Sequence, residues 1–436
     1  MEYLKKIFSS ILLLLFLLLF IYTFNRSEFY WDGIMRDYYL IYYILSSLLF
    51  FLSFVSFFIS SKNKEYLIIL GMCSVVSLYA FEGYLTYKNS YYQNIKKKKK
   101  IYEKTTGNKF DTRPRLKVFE DLKKIEKNVS VKVSPQNWLK NNLKIFPFSS
   151  VSNSTTVYGI ENGYYFIYKS DRFGFNNPDD EWDSEEIEYL LTGDSFVHGA
   201  NVNRPNDLSS VLRTLSNKSV LNLGYSGTGS LIHYASLREY LSPNVKKVLW
   251  FYFEDNDLVD LDNEIKNNIL INYLNNPTFS QNLKLRQDEI NILVGNLISK
   301  GEHERFKFLK LYETRSKFLK KKQKWKEIIQ TSPEHEFKII IKLARDLVIQ
   351  NNSELYFIYL PGYERYKTKN NNIHYNSVKK IVDELDIPFI DIHKGVFLKQ
   401  KNPLKLFPFE MNGHYNVKGY QMTAKYIYDT IEALDK

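Results

Sequence analysis

Cysteine is nearly absent from the sequence. Cys73 is the single one in 436 residues and falls in an apolar stretch, so no internal disulfide is possible, and the Cys/His spacing of a zinc site does not occur. The lack of disulfides leaves the compartment open. Phosphate-cradling loops are missing too: Gly224, Gly227 and Gly229 lie close together without the spacing of a P-loop or a dinucleotide fingerprint. No cluster of metal-binding carboxylates accompanies the positive charge, which places nucleic-acid processing last among the functions considered. Neither a metal nor another cofactor is implied.

What is present describes a folded chain with room for two or three units. Hydrophobic residues make up 44% and aromatics 16%, which excludes a disordered or fibrous protein. The net charge is +12, but Lys is scattered throughout with Asn, Ile and Tyr. That distribution describes a solvated basic surface rather than a nucleic-acid face.

Three stretches have the length and polarity of membrane spans. Ile7 to Tyr22 is apolar apart from Ser9 and Ser10 and follows Lys5 and Lys6. Thr23-Phe24-Asn25-Arg26 comes next in place of a small-residue cleavage motif, so the segment reads as a retained anchor. Tyr38 to Ser60 and Tyr66 to Tyr87 are of spanning length with Tyr-rich ends, giving a transmembrane region over 1–88, with two spans as the alternative to three. Glu82, near the end of the third, is expected to snorkel to the interface. Lys5 and Lys6 inside would put everything after Tyr87 outside, whereas Lys96 to Lys100 then opposes the charge rule. Because long domains translocate regardless of flanking charge, the rule does not decide.

Residues 89–150 are polar and basic, with Pro114, Pro135 and Pro147 as breaks. They read as a juxtamembrane connector with the lysine run as solvated linker and one amphipathic helix around Leu116 to Ile125. From 151 to 436 the pattern is that of one α/β domain. Val157 to Lys169 alternates about Asn162-Gly163, a hairpin signal, and the loop Arg172 to Pro178 leads to an apolar strand at Ile187 to Leu191. Gly193-Asp194-Ser195 follows, placing Ser195 at a strand's carboxyl end, where open α/β sheets hold ligands. Helical spacing over Asp207 to Leu215 precedes a short strand at Ser219 to Leu223. Leu231 to Leu241 is helical again, and Val245 to Phe253 is a strongly apolar strand ending in Glu254-Asp255-Asn256-Asp257. Alternating strands and helices predict a parallel sheet covered on both faces. About 260–337 there is no strand candidate, and the stretch is expected to be a helical insertion that walls a site or pads the surface. Ile339 to Gln350 is an amphipathic helix, Glu354 to Leu360 and Ile387 to Ile392 are strands, and Asn412-Gly413-His414-Tyr415-Asn416 precedes a closing helix at Val417 to Leu434.

Four strand ends thus carry Ser195, Gly227, Asn256 and His414, in that order. The set resembles the SGNH (GDSL-type) hydrolase superfamily over roughly residues 187–434, through Gly193-Asp194-Ser195, the stretch Asn222 to Gly227, Glu254 to Asp257, and Gly413 to Asn416. The resemblance implies a flavodoxin-like three-layer parallel sheet, here with a helical insertion and preceded by the membrane helices. It implies Ser195 as nucleophile and His414 as the base. Ser195, Gly227 and Asn256 would supply N–H donors to the oxyanion. The amino-terminal spans and the Gly-Phe-Asn-Asn-Pro stretch are similar to membrane-tethered bacterial members. That similarity implies an inner-membrane location, an extracytoplasmic domain, and an acyl ester, with acetylated envelope glycan as the best single substrate.

Two positions depart from the pattern. Asp255 stands where the superfamily has Gly before the Asn, and a carboxylate there would repel an oxyanion unless it points away. Asn412 and Met411 stand where it has the Asp that orients the histidine. A Ser–His dyad oriented by a backbone carbonyl is the preferred reading, with Glu410 or Asp391 as substitutes from elsewhere. His198 could approach the site, a partly exposed helix histidine being the plainer reading, and His233, His303, His335, His374 and His393 read as surface residues. Glu254 and Asp257 could hold a polar substrate group, with helix capping by Asp257 at least as good. An ester hydrolase or O-acyl transferase is therefore expected, and a degenerate fold that binds glycan or protein in a membrane assembly is the alternative.

Overall fold

The computed structural model of the chain describes residues 2–30, 33, 36–88, 91–139, 143–302, 308–317, 333–369 and 372–436. They form two compact units, one holding the apolar amino-terminal helices with residues 308–317 and the other holding the α/β domain.

In the first unit, α1 (Glu2–Phe24), α2 (Arg36–Val55) and α3 (Ser61–Lys88) follow the three apolar stretches. By length and composition all three could cross a membrane. Ser9 Oγ donates to the Ser56 carbonyl at 3.0 Å, so a hydroxyl in an apolar run finds a backbone acceptor. Glu82 does not snorkel. It is fully buried, and its carboxylate accepts the N–H groups of Glu313 and Thr314 at 2.9 and 2.8 Å and the Thr314 hydroxyl at 2.7 Å. A carboxylate in an apolar helix is stabilised by donors, and here the late part of the expected insertion supplies them.

In the second unit five parallel strands form one sheet. They are β4 (Ile187–Thr192), β5 (Val220–Asn222), β6 (Val245–Phe253), β7 (Glu354–Leu360) and β8 (Phe389–Asp391). Their order is β5-β4-β6-β7-β8, a doubly wound, flavodoxin-like sheet. Period-two alternation divides the central strands between two cores. Val248, Trp250 and Tyr252 of β6 meet Leu231 and Ala235 of α7 (Ser230–Tyr240) and Ile340 of α11 (Glu334–Gln350). Leu249 and Phe251 meet Leu208 and Leu212 of α6 (Leu208–Ser216) and Ile427 of α14 (Val417–Leu434). The strand at Val245–Phe253, the strand at Glu354–Leu360 and the closing helix have the bounds read from the sequence.

Residues 91–150 carry more structure than a connector. The lysine run lies inside α4 (Tyr91–Thr106), α5 (Arg115–Lys123) forms most of the expected amphipathic helix and ends two residues before Ile125, and β1 (Val129–Val131) adds a strand. β1 runs parallel to β2 (Thr155–Ile160), which pairs antiparallel with β3 (Tyr165–Lys169) in the predicted hairpin. Phe146 and Phe148 are completely buried in the core of the α/β domain. The first part of the insertion pads this core: Leu270, Tyr273, Leu283 and Ile290 join the same cluster, and Phe146 N–H donates to Gln281 Oε1 at 2.7 Å.

The loop Asp171 to Pro178 braces the sheet edge. The Asp171 carboxylate accepts the N–H groups of Phe173 and Phe175, Asn177 Nδ2 and Trp182 Nε1, all within 2.9 Å. Asn177 in turn meets β5 like another strand, accepting the Asn222 N–H at 2.8 Å and donating to its carbonyl at 3.0 Å. The turn needs glycine at 174, where φ is +81° and a Cβ would lie 2.1 Å from the Ser150 carbonyl oxygen. Gly174→Ala is therefore expected to destabilise the domain by at least about 2 kcal/mol, read as a lowered midpoint of thermal unfolding in detergent.

Candidate active site

Ser195 follows the carboxyl end of β4, on a single turn closed by the His198 and Ala200 N–H groups donating to the Asp194 and Ser195 carbonyls. His414 precedes α14, whose N-cap Asn416 accepts the Gly419 N–H at 3.0 Å while its amide donates to the Lys405 and Phe407 carbonyls. Tyr415 Oη donates to the Pro361 carbonyl at 2.8 Å, and the Phe196 ring lies 4.8 Å from the imidazole, centroid to centroid. These anchors place His414 Nε2 at 2.8 Å from Ser195 Oγ. Ser195 Oγ is also 3.2 Å from Asp194 Oδ2, and the other oxygen of Asp194 accepts the Phe196 N–H at 2.9 Å.

The group that orients His414 is none of the candidates read from the sequence. Glu161, in the β2–β3 turn, has both carboxylate oxygens 3.1 Å from His414 Nδ1 and accepts the His414 backbone N–H at 2.8 Å. Asn412 points instead to Glu364 Oε1 at 3.3 Å, Glu410 accepts Asn402 Nδ2 at 3.1 Å, and Asp391 accepts the Tyr375 hydroxyl at 2.6 Å. The dyad reading is corrected with them, because a carboxylate stands where a backbone carbonyl was expected. The residue was missed because it lies 253 positions before the histidine, and its one sequence signal is its place next to Asn162-Gly163 in the hairpin turn. With Nδ1 protonated toward Glu161, Nε2 is the lone-pair nitrogen facing Ser195, and Asn201 Nδ2, 3.3 Å from Nδ1, is a packing neighbour.

Electrostatics follow the geometry. Burial opposes charge on His414, but the Glu161 carboxylate and its hydrogen bond outweigh it, so the imidazole holds its proton above the ordinary histidine range. Burial pushes Glu161 up, and the His414 charge and hydrogen bonds overturn that, leaving its pKa below the ordinary glutamate value. Asp194 is raised by burial.

Gly227 has φ +77°, and a Cβ there would lie 2.2 Å from Ser134 Oγ. The expected connector therefore runs against this turn. Asn256 precedes α8 (Asp257–Glu264), and its amide donates to Asp260 Oδ2 at 3.0 Å, which engages one of its two N–H bonds. Gln136 Nε2 donates to the other oxygen of Asp260 at 2.6 Å, and burial with the Asp194 charge nearby lifts the Asp260 carboxyl to about 7. Asp255 is exposed and lies over Gly362, where a Cβ would fall 1.9 Å from its Oδ2. Glu254 is committed to a buried ion pair, accepting Arg365 Nε at 2.9 Å and the Gly362 N–H at 2.7 Å. Asp257 ties back to β6 by accepting the Phe253 N–H at 3.0 Å.

Two histidines expected at the surface or partly exposed are buried. His198 lies among Tyr158, Tyr168 and Tyr225, and its Nδ1 accepts the Ser226 N–H at 3.2 Å. Burial holds it neutral, so it is a fixed acceptor supporting the turn that carries Gly227. His233 pairs with the Thr228 hydroxyl at 3.0 Å, and burial pulls it down to about 3. His393 meets the Tyr366 hydroxyl at 2.8 Å, His374 meets Glu334 at 2.7 Å, His335 is exposed, and His303 lies outside the described residues. Among the described residues no cluster of His, Cys, Asp or Glu is grouped to hold a metal ion.

No family model matches the sequence, and no curated protein matches it. The chain is similar in structure to an acetyl xylan esterase, AlAXEase, at 12% identity and TM-score 0.34, over 56% of this chain and 100% of that one. It is similar to a member of the lipolytic protein G-D-S-L family from Veillonella parvula DSM 2008 at 11% identity and TM-score 0.32, over 56% and 98%. It is also similar to the psychrotrophic esterase EstA from Pseudoalteromonas sp. at 13% identity and TM-score 0.27, over 58% and 100%. The α/β unit has a flavodoxin-like, doubly wound parallel sheet, with Ser195, Gly227 and Asn256 in the segments that follow β4, β5 and β6 and His414 before the closing helix.

Glu161→Gln is expected to lower the His414 pKa, since it removes the charge that holds the proton. An NMR titration of the imidazole Cε1–H would show the inflection moving to lower pH, and an unmoved inflection would remove Glu161 from this account.

Proposed function

We propose that the α/β unit is a serine ester hydrolase or O-acyl transferase with Ser195, His414 and Glu161 as a triad. The observation that carries this reading is the chain of contacts from Glu161 through His414 to Ser195 Oγ, at 3.1 and 2.8 Å. In that reading Ser195 Oγ attacks the acyl carbonyl while His414 Nε2 takes its proton. His414 then returns the proton to the leaving alcohol oxygen, giving an acyl-serine. Water or a second hydroxyl, activated by the same nitrogen, releases the acyl group. The Gly227 N–H and the second N–H of Asn256 serve the oxyanion with the Ser195 N–H. Asp260 and Gln136 hold the Asn256 amide in place.

The alternative of a degenerate binding module drew on Asn412, Met411 and Asp255. Glu161 offers the role that Asn412 and Met411 left open, and Asp255 lies over Gly362, both of which favour the enzyme reading. An acetylated glycan remains the proposed substrate, and the three apolar helices support a membrane-anchored enzyme.

Full-length protein in detergent is expected to label with a fluorophosphonate and to cleave a short-chain aryl acetate, and Ser195→Ala is expected to lose both. A folded protein that never labels would sink the reading. Because His414 must be neutral to accept the serine proton, kcat/KM should rise with pH through an inflection above the ordinary histidine value. Glu161→Ala is expected to lower kcat by about a hundredfold to ten-thousandfold. Asn412→Ala and Glu410→Gln should stay within about threefold of the parent, as surface substitutions do. Equal losses at Asn412 and Glu161 would argue against the triad.

A further inference from the structure

The β1 segment brings a cation to the same side of the molecule. Lys132 follows β1, and its N–H donates to the Val157 carbonyl at 3.0 Å, continuing the ladder beside β2. Alternation sends Val131 and Val157 into the cluster with Val118 and Phe119, and turns Lys132 and Tyr158 to the opposite face. There Lys132 Nζ sits 5.0 Å from the centroid of the Tyr158 ring. The Tyr158 hydroxyl hydrogen-bonds Ser226 Oγ, one residue before Gly227, and β2 ends just before Glu161. Two residues beyond Lys132, Ser134 Oγ occupies the space that a side chain on Gly227 would need. Lys132 thus stands on the wall between the histidine-orienting carboxylate and the turn of the oxyanion hole.

Its charge has no carboxylate partner among the described residues. From α5 a second cation reaches this strand, Arg115, whose Nη1 donates to the Tyr158 carbonyl at 3.4 Å. Lysines that serve stability alone are usually exposed, or paired once they lose water. Lys132 is half-buried and rests on the Tyr158 ring rather than on an anion. Burial, with Arg115 adding repulsion, draws it down to about 8, and its charge is felt at His414 and at His198. A partly desolvated ammonium that has an aromatic ring but no carboxylate beside it gains from a charge-assisted hydrogen bond to an anion.

We propose that Lys132 sets substrate specificity by binding an anionic group, carboxylate or phosphate, that the acyl ester carries close to its scissile bond. The proposal rests on the acyl-transfer reading of the site for its context but is measured separately from it. The probes are phenyl acetate, 3-acetoxybenzoate and 3-acetoxyphenyl phosphate, titrated into full-length Ser195→Ala protein in detergent. The two anionic esters should bind about tenfold or more tightly than phenyl acetate, as charge-assisted hydrogen bonds allow. The preference should vanish in Lys132→Met, persist in Lys132→Arg, and shrink as salt is raised. Whichever anion gains more identifies the group. Equal binding of charged and neutral esters, or a preference that survives in Lys132→Met, overturns the proposal. If Lys132→Met does not fold, the salt dependence and Lys132→Arg decide it. Fluorophosphonate labelling of the parent reports on acyl transfer alone, so an anion preference without labelling would fail that reading and keep this one. Labelling without a preference would do the opposite.

Discussion

The contact between Glu161 and His414 ties the β2–β3 turn of the small sheet to the loop that leads into the closing helix, beside Ser195. A bifurcated hydrogen bond from the ring Nδ1–H and a second from the backbone N–H fix both the position and the tautomer of the histidine. A carboxylate in a hairpin turn is useful only if the turn is held. Asn162 Nδ2 holds it by donating to the Asn201 carbonyl at 2.9 Å. The small sheet β1-β2-β3 is therefore part of the site rather than an ornament on it. No Asp stands just before His414, and the antiparallel hairpin brings a carboxylate to it from another direction.

The same sheet accounts for the stretch before it. β1 runs parallel to β2, and the chain that leaves β1 lies along Gly227, reaches Asp260 through Gln136, and carries Lys132 on the way. Behind that wall a neutral histidine, His198, accepts the Ser226 N–H from within a cage of tyrosines. Burial makes this arrangement work: a charged imidazole would repel the N–H it has to accept, and desolvation keeps it uncharged.

Several polar residues that attract attention in the sequence are spent on structure. Glu254 neutralises Arg365 in the core, and Glu82 satisfies two backbone N–H groups in an apolar surrounding. Glu264 accepts the N–H groups of Gly229, Leu231 and Ile232 at the start of α7, although burial lifts its pKa to about 8. A polar side chain in a low-dielectric interior must be partnered, so burial and not residue type decides which carboxylates remain for chemistry.

The apolar runs by themselves determined the three long amino-terminal helices, the parallel sheet and the closing helix, because a strand or helix buried on known faces leaves its period in the sequence. The residues Ser195, Gly227, Asn256 and His414 were legible for a related reason, since each follows the carboxyl end of a strand or precedes a helix, and local punctuation marks those ends. What the sequence did not reveal was the company they keep. Glu161, Lys132 and His198 come from a turn, from just past a strand of three residues and from an aromatic pocket, none of which has a period to read. The fold of residues 91–150 was obscured likewise by its lysines and prolines, which describe a linker until Phe146 and Phe148 are seen inside the core. Only the tertiary structure decides which distant charges end up within hydrogen-bonding reach, because that depends on how sheets pack and not on what lies beside a residue in the chain.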